Sequence, residues 1–132
     1  MPKGPVPDRY RDILESTAPG HLATIDQNGL PNVNPVWFIA DGDFFYLSIK
    51  PDTAKYRSLR ANPNVALSVT DSSRPDRCVE LRGSVVEFEL YDNISWVNQL
   101  SRKHTGSDFT GGKDGEHRYK VTVRIDTWTA QN

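Results

Sequence analysis

The sequence predicts a mainly β protein, a six-stranded antiparallel barrel with short flanking helices. Three observations carry that reading. Apolar residues alternate over 65–70 (Val65, Leu67, Val69) and over 119–127 (Tyr119, Val121, Val123, Ile125), the two-residue period of a strand with one buried face. Asn28-Gly29 and Asp41-Gly42-Asp43 stand between apolar runs, where hairpin turns belong. Six runs of similar length, with no internal repeat and no linker, are best accommodated by a sheet that closes and so removes its edges. Residues 1–132 are therefore expected to form one domain.

In chain order, Pro7-Asp8 precedes a short helix over 9–16, in which Tyr10, Ile13 and Leu14 share a face, and Pro19-Gly20 ends it. Strand 21–25 follows, then the Asn-Gly turn and a return strand over 30–40. Pro31 and Pro35 cannot donate to a ladder, so that strand is expected to be interrupted, bulged or at an edge. Strand 44–49 is apolar on both faces. Thr53 is placed to cap a helix over 53–60, which Asn62-Pro63-Asn64 stops. After strand 65–70, residues 71–77 read as a polar loop. A long strand over 78–89 contains Gly83, where a barrel strand can bend. Asp92 is expected to cap a helix through about His104, with Ile94, Val97 and Leu100 at helical spacing. The glycine-rich stretch 106–117 reads as a mobile loop before strand 119–127.

Composition narrows the function. Hydrophobic residues make up 36% and charged residues 25%, the balance of a folded chain. A formal net charge of −1 argues against general nucleic-acid binding. Cys78 is the lone cysteine, so no internal disulfide and no cysteine-based zinc site can form. With no apolar leader or membrane-length run, the expected location is the cytoplasm, with no membrane partner. His21, His104 and His117 lack metal-ligand spacing, and no metal site is expected. There is no G-x-S-x-G elbow, no G-x-G-x-x-G and no P-loop.

Two groups of residues have chemistry to offer. Lys50, Lys55, Arg57 and Arg60 crowd a helix start, where free backbone N–H groups attract a phosphate or carboxylate. A cation as early as Lys55 opposes the helix dipole, which an anionic ligand would explain; a solvated helix face is the alternative. Asn32, Asn34, Pro35, Val36 and Trp37 form the second group. Asn at alternating positions is poor strand chemistry, and either a proline-driven excursion or contact with the polar edge of a planar ring accounts for it.

The residues 20–25 (Gly-His-Leu-Ala-Thr-Ile), Gly29-Leu30-Pro31 and Pro35-Val36-Trp37-Phe38 resemble the opening hairpin of the pyridoxamine 5′-phosphate oxidase-like split β-barrel superfamily. Thr53-Ala54-Lys55, Leu59, Asn62-Pro63 and Val65-Ala66-Leu67 resemble its phosphate-binding segment. The likeness is close over residues 8–90 and covers the final third only in strand pattern. Within the superfamily the chain resembles the actinobacterial branch that uses the deazaflavin coenzyme F420. The resemblance implies a six-stranded split barrel and a homodimer with cofactor at the subunit interface. It implies that Thr53 and Lys55 hold the cofactor phosphate, and that Ser48, Ile49 and Lys50 line the path to the ring. Asn32, Asn34, Pro35, Val36 and Trp37 would border the ring. Thr53 stands where relatives carry Arg, so phosphate affinity would lean on Lys50 or Arg57.

The expected function is an F420-dependent oxidoreductase, passing hydride from reduced deazaflavin to a conjugated, enone-like small molecule. The alternatives are an FMN-binding oxidoreductase of the same fold and a non-catalytic cofactor-binding protein. No catalytic acid is assigned; Tyr46, Ser48 and His21 are candidates only.

Overall fold

The computed structural model describes residues 2–111 and 116–131. The chain runs through a 3₁₀ turn (Asp8–Tyr10), α1 (Arg11–Glu15), β1 (Gly20–Ile25), β2 (Pro31–Val36), β3 (Ile39–Asp41) and β4 (Phe44–Ile49). It continues through α2 (Ala54–Ala61), β5 (Asn64–Asp71), β6 (Arg74–Tyr91), α3 (Ser95–Thr105) and β7 (Arg118–Gln131). All pairings are antiparallel, in one seven-stranded sheet ordered β2-β1-β5-β6-β7-β4-β3.

That order forces closure. β2 and β3 are the two ends of the sheet, yet only Trp37 and Phe38 separate them in sequence. Three residue steps span at most ~11 Å, whereas six inter-strand gaps laid flat span ~29 Å. The sheet must therefore curl until its ends nearly meet, which is a split barrel. The return strand that the sequence reads as one element is thus two, broken beyond Pro35 at the Trp37-Phe38 link.

Turn chemistry fixes the hairpins. Gly29 adopts φ +79° while Asn28 does not enter the left-handed region. The Asp26 carboxylate instead accepts from the N–H groups of Asn28 (2.8 Å) and Leu30 (3.0 Å). In the second hairpin Gly42 takes φ +61° at the first loop position. The third hairpin is tighter than the sequence suggests: Ser72-Ser73 alone turn, because Asp71 accepts from both the N–H and the hydroxyl of Ser73. Residues 74–77 belong to β6, with a register shift at Thr70/Asp71. A second shift falls at Arg82/Gly83, where a Cβ would stand 1.9 Å from the Arg124 carbonyl oxygen.

Leu22, Phe45, Leu47, Leu67, Val69, Val79, Leu81, Val121 and Val123 fill the barrel, and Ile13, Leu14 and Leu59 close it from α1 and α2. α3 begins later than expected. Asn93, not Asp92, accepts the Ser95 N–H at 2.9 Å, and Gly106 closes the helix at φ +80°. Trp96, Val97 and Leu100 are buried outside the barrel core. The first residues of the glycine-rich stretch are tied down, since Ser101 Oγ donates to the Ser107 carbonyl and Phe109 N–H to Asn98. Residues 112–115 of that stretch lie outside the described residues.

Candidate functional site

Strand parity sets the site. Phe45, Leu47 and Ile49 of β4 point into the core, so Tyr46 and Ser48 face outward. β7 pairs with β4 in the register Tyr46↔Thr122 and Ser48↔Lys120, which puts Arg118 and Lys120 on the same outer face. α3 packs on this face. The Trp96 indole N–H donates to the Leu47 carbonyl at 2.9 Å, and the Lys120 ammonium sits 4.8 Å from the Tyr46 ring centroid and 4.7 Å from that of Trp96.

The chain leaves β4 through Asp52 at φ 61°, a left-handed position that Asp tolerates. Arg57 Nη1 donates to the Asp52 carbonyl at 3.0 Å and braces the turn. Thr53 then caps α2, accepting the Tyr56 N–H at 3.2 Å and donating to the Lys50 carbonyl at 2.9 Å. This geometry brings Lys55, in the first turn of α2, beside the outer face of β4.

Between these elements lies a cavity of about 220 Å³. Pro35, Val36 and Trp37 line it from β2 and the link to β3, Val97 and Leu100 from α3, and Phe109 from the segment after α3. Ser48, Lys55 and Arg118 supply its polar groups. The Trp37 and Phe109 rings meet edge to face, centroids 6.0 Å apart. A shallower depression of about 320 Å³, lined by Pro19, Pro35, Val36 and Trp37, shares the Pro35–Trp37 wall.

Part of this polar lining lacks partners; Arg118 Nη2 has the Glu116 carboxylate at 3.5 Å. Ser48 Oγ and Arg118 Nε are buried without a hydrogen bond. Arg118 is 9% exposed, and its guanidinium stacks 5.1 Å from the Phe109 centroid. Lys55 makes no hydrogen bond or ion pair among the described residues, and burial pushes its ammonium pKa down. One half-buried cation without a counter-ion among the described residues, and two orphaned polar atoms, in one cavity fit an anionic group.

Of the residues singled out in the sequence, Pro35, Val36, Trp37, Ser48 and Lys55 line this cavity. Asn32 and Asn34 lie on the exposed edge strand β2, outside it. The Ile49 side chain is in the core, 4% exposed. Lys50 Nζ turns to Glu116 Oε1 at 3.2 Å, and Thr53 and Arg57 are engaged in the cap and its turn. The Arg60 guanidinium lies over the Tyr56 and Phe88 rings. Arg118 and Phe109 were not marked by the sequence, and Val97 and Leu100 were read there only as a helix face. The signal for Arg118 is its parity with Lys120, which acquires meaning only once β7 is known to pair with β4. Among candidate proton donors, His21 is exposed opposite Pro35 in the β1–β2 ladder, and Tyr46 is not part of the lining.

Among the described residues no group of His, Cys, Asp and Glu could hold a metal ion, and no helix is long and apolar enough to cross a membrane.

This closed sheet recurs in known proteins. The chain belongs to the pyridoxamine 5′-phosphate oxidase family, whose family model matches residues 6–127. It is 31% identical over 108 residues to General stress protein 26 of Bacillus subtilis (strain 168), covering 78% of this chain and 76% of that one. The solved structure of an F420 reductase is 32% identical, with a TM-score of 0.83 over 94% of this chain and 98% of that one. General Stress Protein 26 from Bacillus anthracis shares the fold at 16% identity, with a TM-score of 0.67 over 94% and 92% of the two chains.

Proposed function

We propose that the chain is an F420-dependent reductase acting on a conjugated, electron-poor small molecule. The observation that carries this reading is the clustering of Lys55, which has no partner among the described residues, with the orphaned Ser48 Oγ and Arg118 Nε against an aromatic wall. Such a cavity suits a ligand with an anionic end and a flat apolar body. The 32% identity to an F420 reductase, over nearly all of both chains, favours deazaflavin among such ligands.

In this reading Lys55 and Arg118 would hold the cofactor's phosphate as charge-assisted donors, and Ser48 Oγ–H would donate to the same group. Pro35, Val36 and Trp37 would flank the ring, while Val97, Leu100 and Phe109 would exclude water from it. Reduced deazaflavin, when bound, supplies a hydride from C5; the protein's contribution is grip, orientation and a dry wall. No side chain is assigned as proton donor.

The working unit is a homodimer. Leu30 (59% exposed) and Val33 (63% exposed) stand bare at and beside the edge strand β2, and a second copy would cover them. Asn32 and Asn34 on the same strand would then lie at the seam, within reach of a cofactor shared between subunits.

Separate titrations with F420 and FMN, followed by tryptophan emission, test the reading, because Trp37 lines the cavity. Saturable quenching by F420 with weak or no response to FMN is the expected result. Tighter FMN binding would make this an FMN oxidoreductase of the same fold. Tight F420 binding without turnover over a panel of enones would leave a cofactor-binding protein.

A further inference from the structure

The Trp37-Phe38 link closes the barrel and carries one wall of the cavity, yet neither residue belongs to a strand. Its backbone groups have no ladder partner, and α3 supplies side chains in their place. The Phe38 N–H donates to His104 Nε2 at 3.1 Å, and the Phe38 carbonyl accepts from Lys103 Nζ at 2.9 Å. His104 Nδ1 lies 3.1 Å from the Thr17 carbonyl. A carbonyl requires a donor and an N–H requires an acceptor, so the proton of the neutral ring sits on Nδ1. The imidazole also lies parallel to the Trp37 indole, centroids 6.0 Å apart and planes 8° from each other.

We propose that His104 is the positioning residue of the cavity's aromatic wall: its neutral ring holds the Phe38 N–H and backs the Trp37 indole, and protonation of that ring releases the wall. Protonation turns Nε2 from acceptor to donor, so it faces the Phe38 N–H donor to donor. The Phe38 carbonyl, also 3.1 Å away, already accepts from the Lys103 ammonium, so the imidazolium can share that oxygen only by bringing a second positive charge beside Lys103. The charged groups around the ring are Lys103 on its own helix and, beyond it, Glu15 of α1, which acts on Lys103. The 17–19 segment and the Trp37-Phe38 link bring no titratable side chain. Burial and then the Lys103 charge depress the His104 pKa, partly offset by the Thr17 and Phe38 carbonyls. The wall is therefore fixed at neutral pH and loosens as pH falls through a value below the ordinary ~6.5 of histidine.

The effect on ligand binding rests on the function proposed above, whereas movement of the wall does not. Tryptophan emission of the free protein between about pH 7 and pH 5, below the Lys103 ammonium that burial holds down at about 8, reads the wall directly. Subtracting the signal of Trp37→Phe isolates Trp37 from the other two indoles. The expected result is one step with a midpoint below about 6.5. It should vanish in His104→Gln, whose amide can still accept the Phe38 N–H, with neutral-pH emission unchanged. His104→Ala should shift the emission at every pH. A step that survives in His104→Gln, or a Trp37 signal flat with pH while His104 titrates, overturns the proposal. If His104→Gln does not fold, wild-type protein still decides. The His104 imidazole resonance by NMR, assigned with His21→Gln and His117→Gln, and the Trp37 emission must share one midpoint; different midpoints overturn it. In a separate arm, F420 affinity should drop across the same step in wild type and not in His104→Gln. Absence of F420 binding at any pH would end the cofactor reading and leave the emission result standing.

Discussion

Lys50 and Glu116 form an ion pair, Nζ to Oε1 at 3.2 Å, and the other oxygen of that carboxylate lies 3.5 Å from Arg118 Nη2. One acidic side chain thus reaches a cation at the exit of β4 and another at the start of β7. Glu116 is an internal counter-ion at the rim of a cavity whose remaining cation, Lys55, has none among the described residues.

An anion entering the cavity meets that carboxylate as a like charge. Glu116→Gln should tighten F420 binding by ~0.5–1 kcal/mol, two- to five-fold, the scale of partly exposed ion pairs. Titration of wild type and variant side by side checks it. Weaker binding in the variant would mean that Glu116 serves chiefly to aim Arg118.

Lys55→Ala should weaken F420 binding by ~1.5–3 kcal/mol, the range for hydrogen bonds to charged groups, which is roughly ten- to a hundred-fold. Its fold should survive, because no described partner is lost. Arg118→Met keeps the apolar stem and removes the guanidinium, and should have a similar effect on binding. Unchanged affinity in both variants, measured by titration and with circular dichroism intact, would move the anion elsewhere.

These two cations show how far the sequence could be read. Lys55 was legible because helix-start chemistry is local: Thr53 caps, the backbone N–H groups point outward, and a cation three residues into the segment needs a reason. Arg118 was not, because its place in the lining depends on a strand pairing between segments far apart in the chain. The barrel was legible from alternation and turns, but its closure through Trp37-Phe38 required the sheet order. Asn28 illustrates the opposite failure. Its dipeptide signal was correct for a hairpin, yet the Asp26 carboxylate, not a left-handed Asn, stabilises the loop.

Gly83 carries a stability prediction. Its register shift lets β6 bend, and a Cβ there would sit 1.9 Å from a backbone oxygen that has nowhere to go. Gly83→Ala should cost more than ~2 kcal/mol, as overpacking against backbone does. Gly29→Ala is the control. It meets no atom within 4 Å and should cost only the ~1 kcal/mol of a left-handed alanine. Urea midpoints of the two variants should separate clearly.

The last prediction concerns acid. Arg77, with its side chain 16% exposed, lies 2.7 Å from Asp12 Oδ2 and 3.0 Å from Asp71 Oδ2, and donates to the Arg9 carbonyl at 2.6 Å. It pins the N-terminal helical segment to the β5–β6 hairpin. The Ser73 hydroxyl and N–H, then Arg77, hold the Asp71 carboxyl down at about 2. An unfolded aspartate titrates near ~3.9, so the native state binds that proton less readily than the unfolded chain. The stabilisation is therefore complete above about pH 4 and is lost as pH falls toward about 2. Asp71→Asn should lower the midpoint of denaturant unfolding at neutral pH and flatten its fall between those two values. Should the acid slope of Asp71→Asn match that of wild type, the loss belongs to other carboxylates and the Arg77 clasp is not what acid undoes.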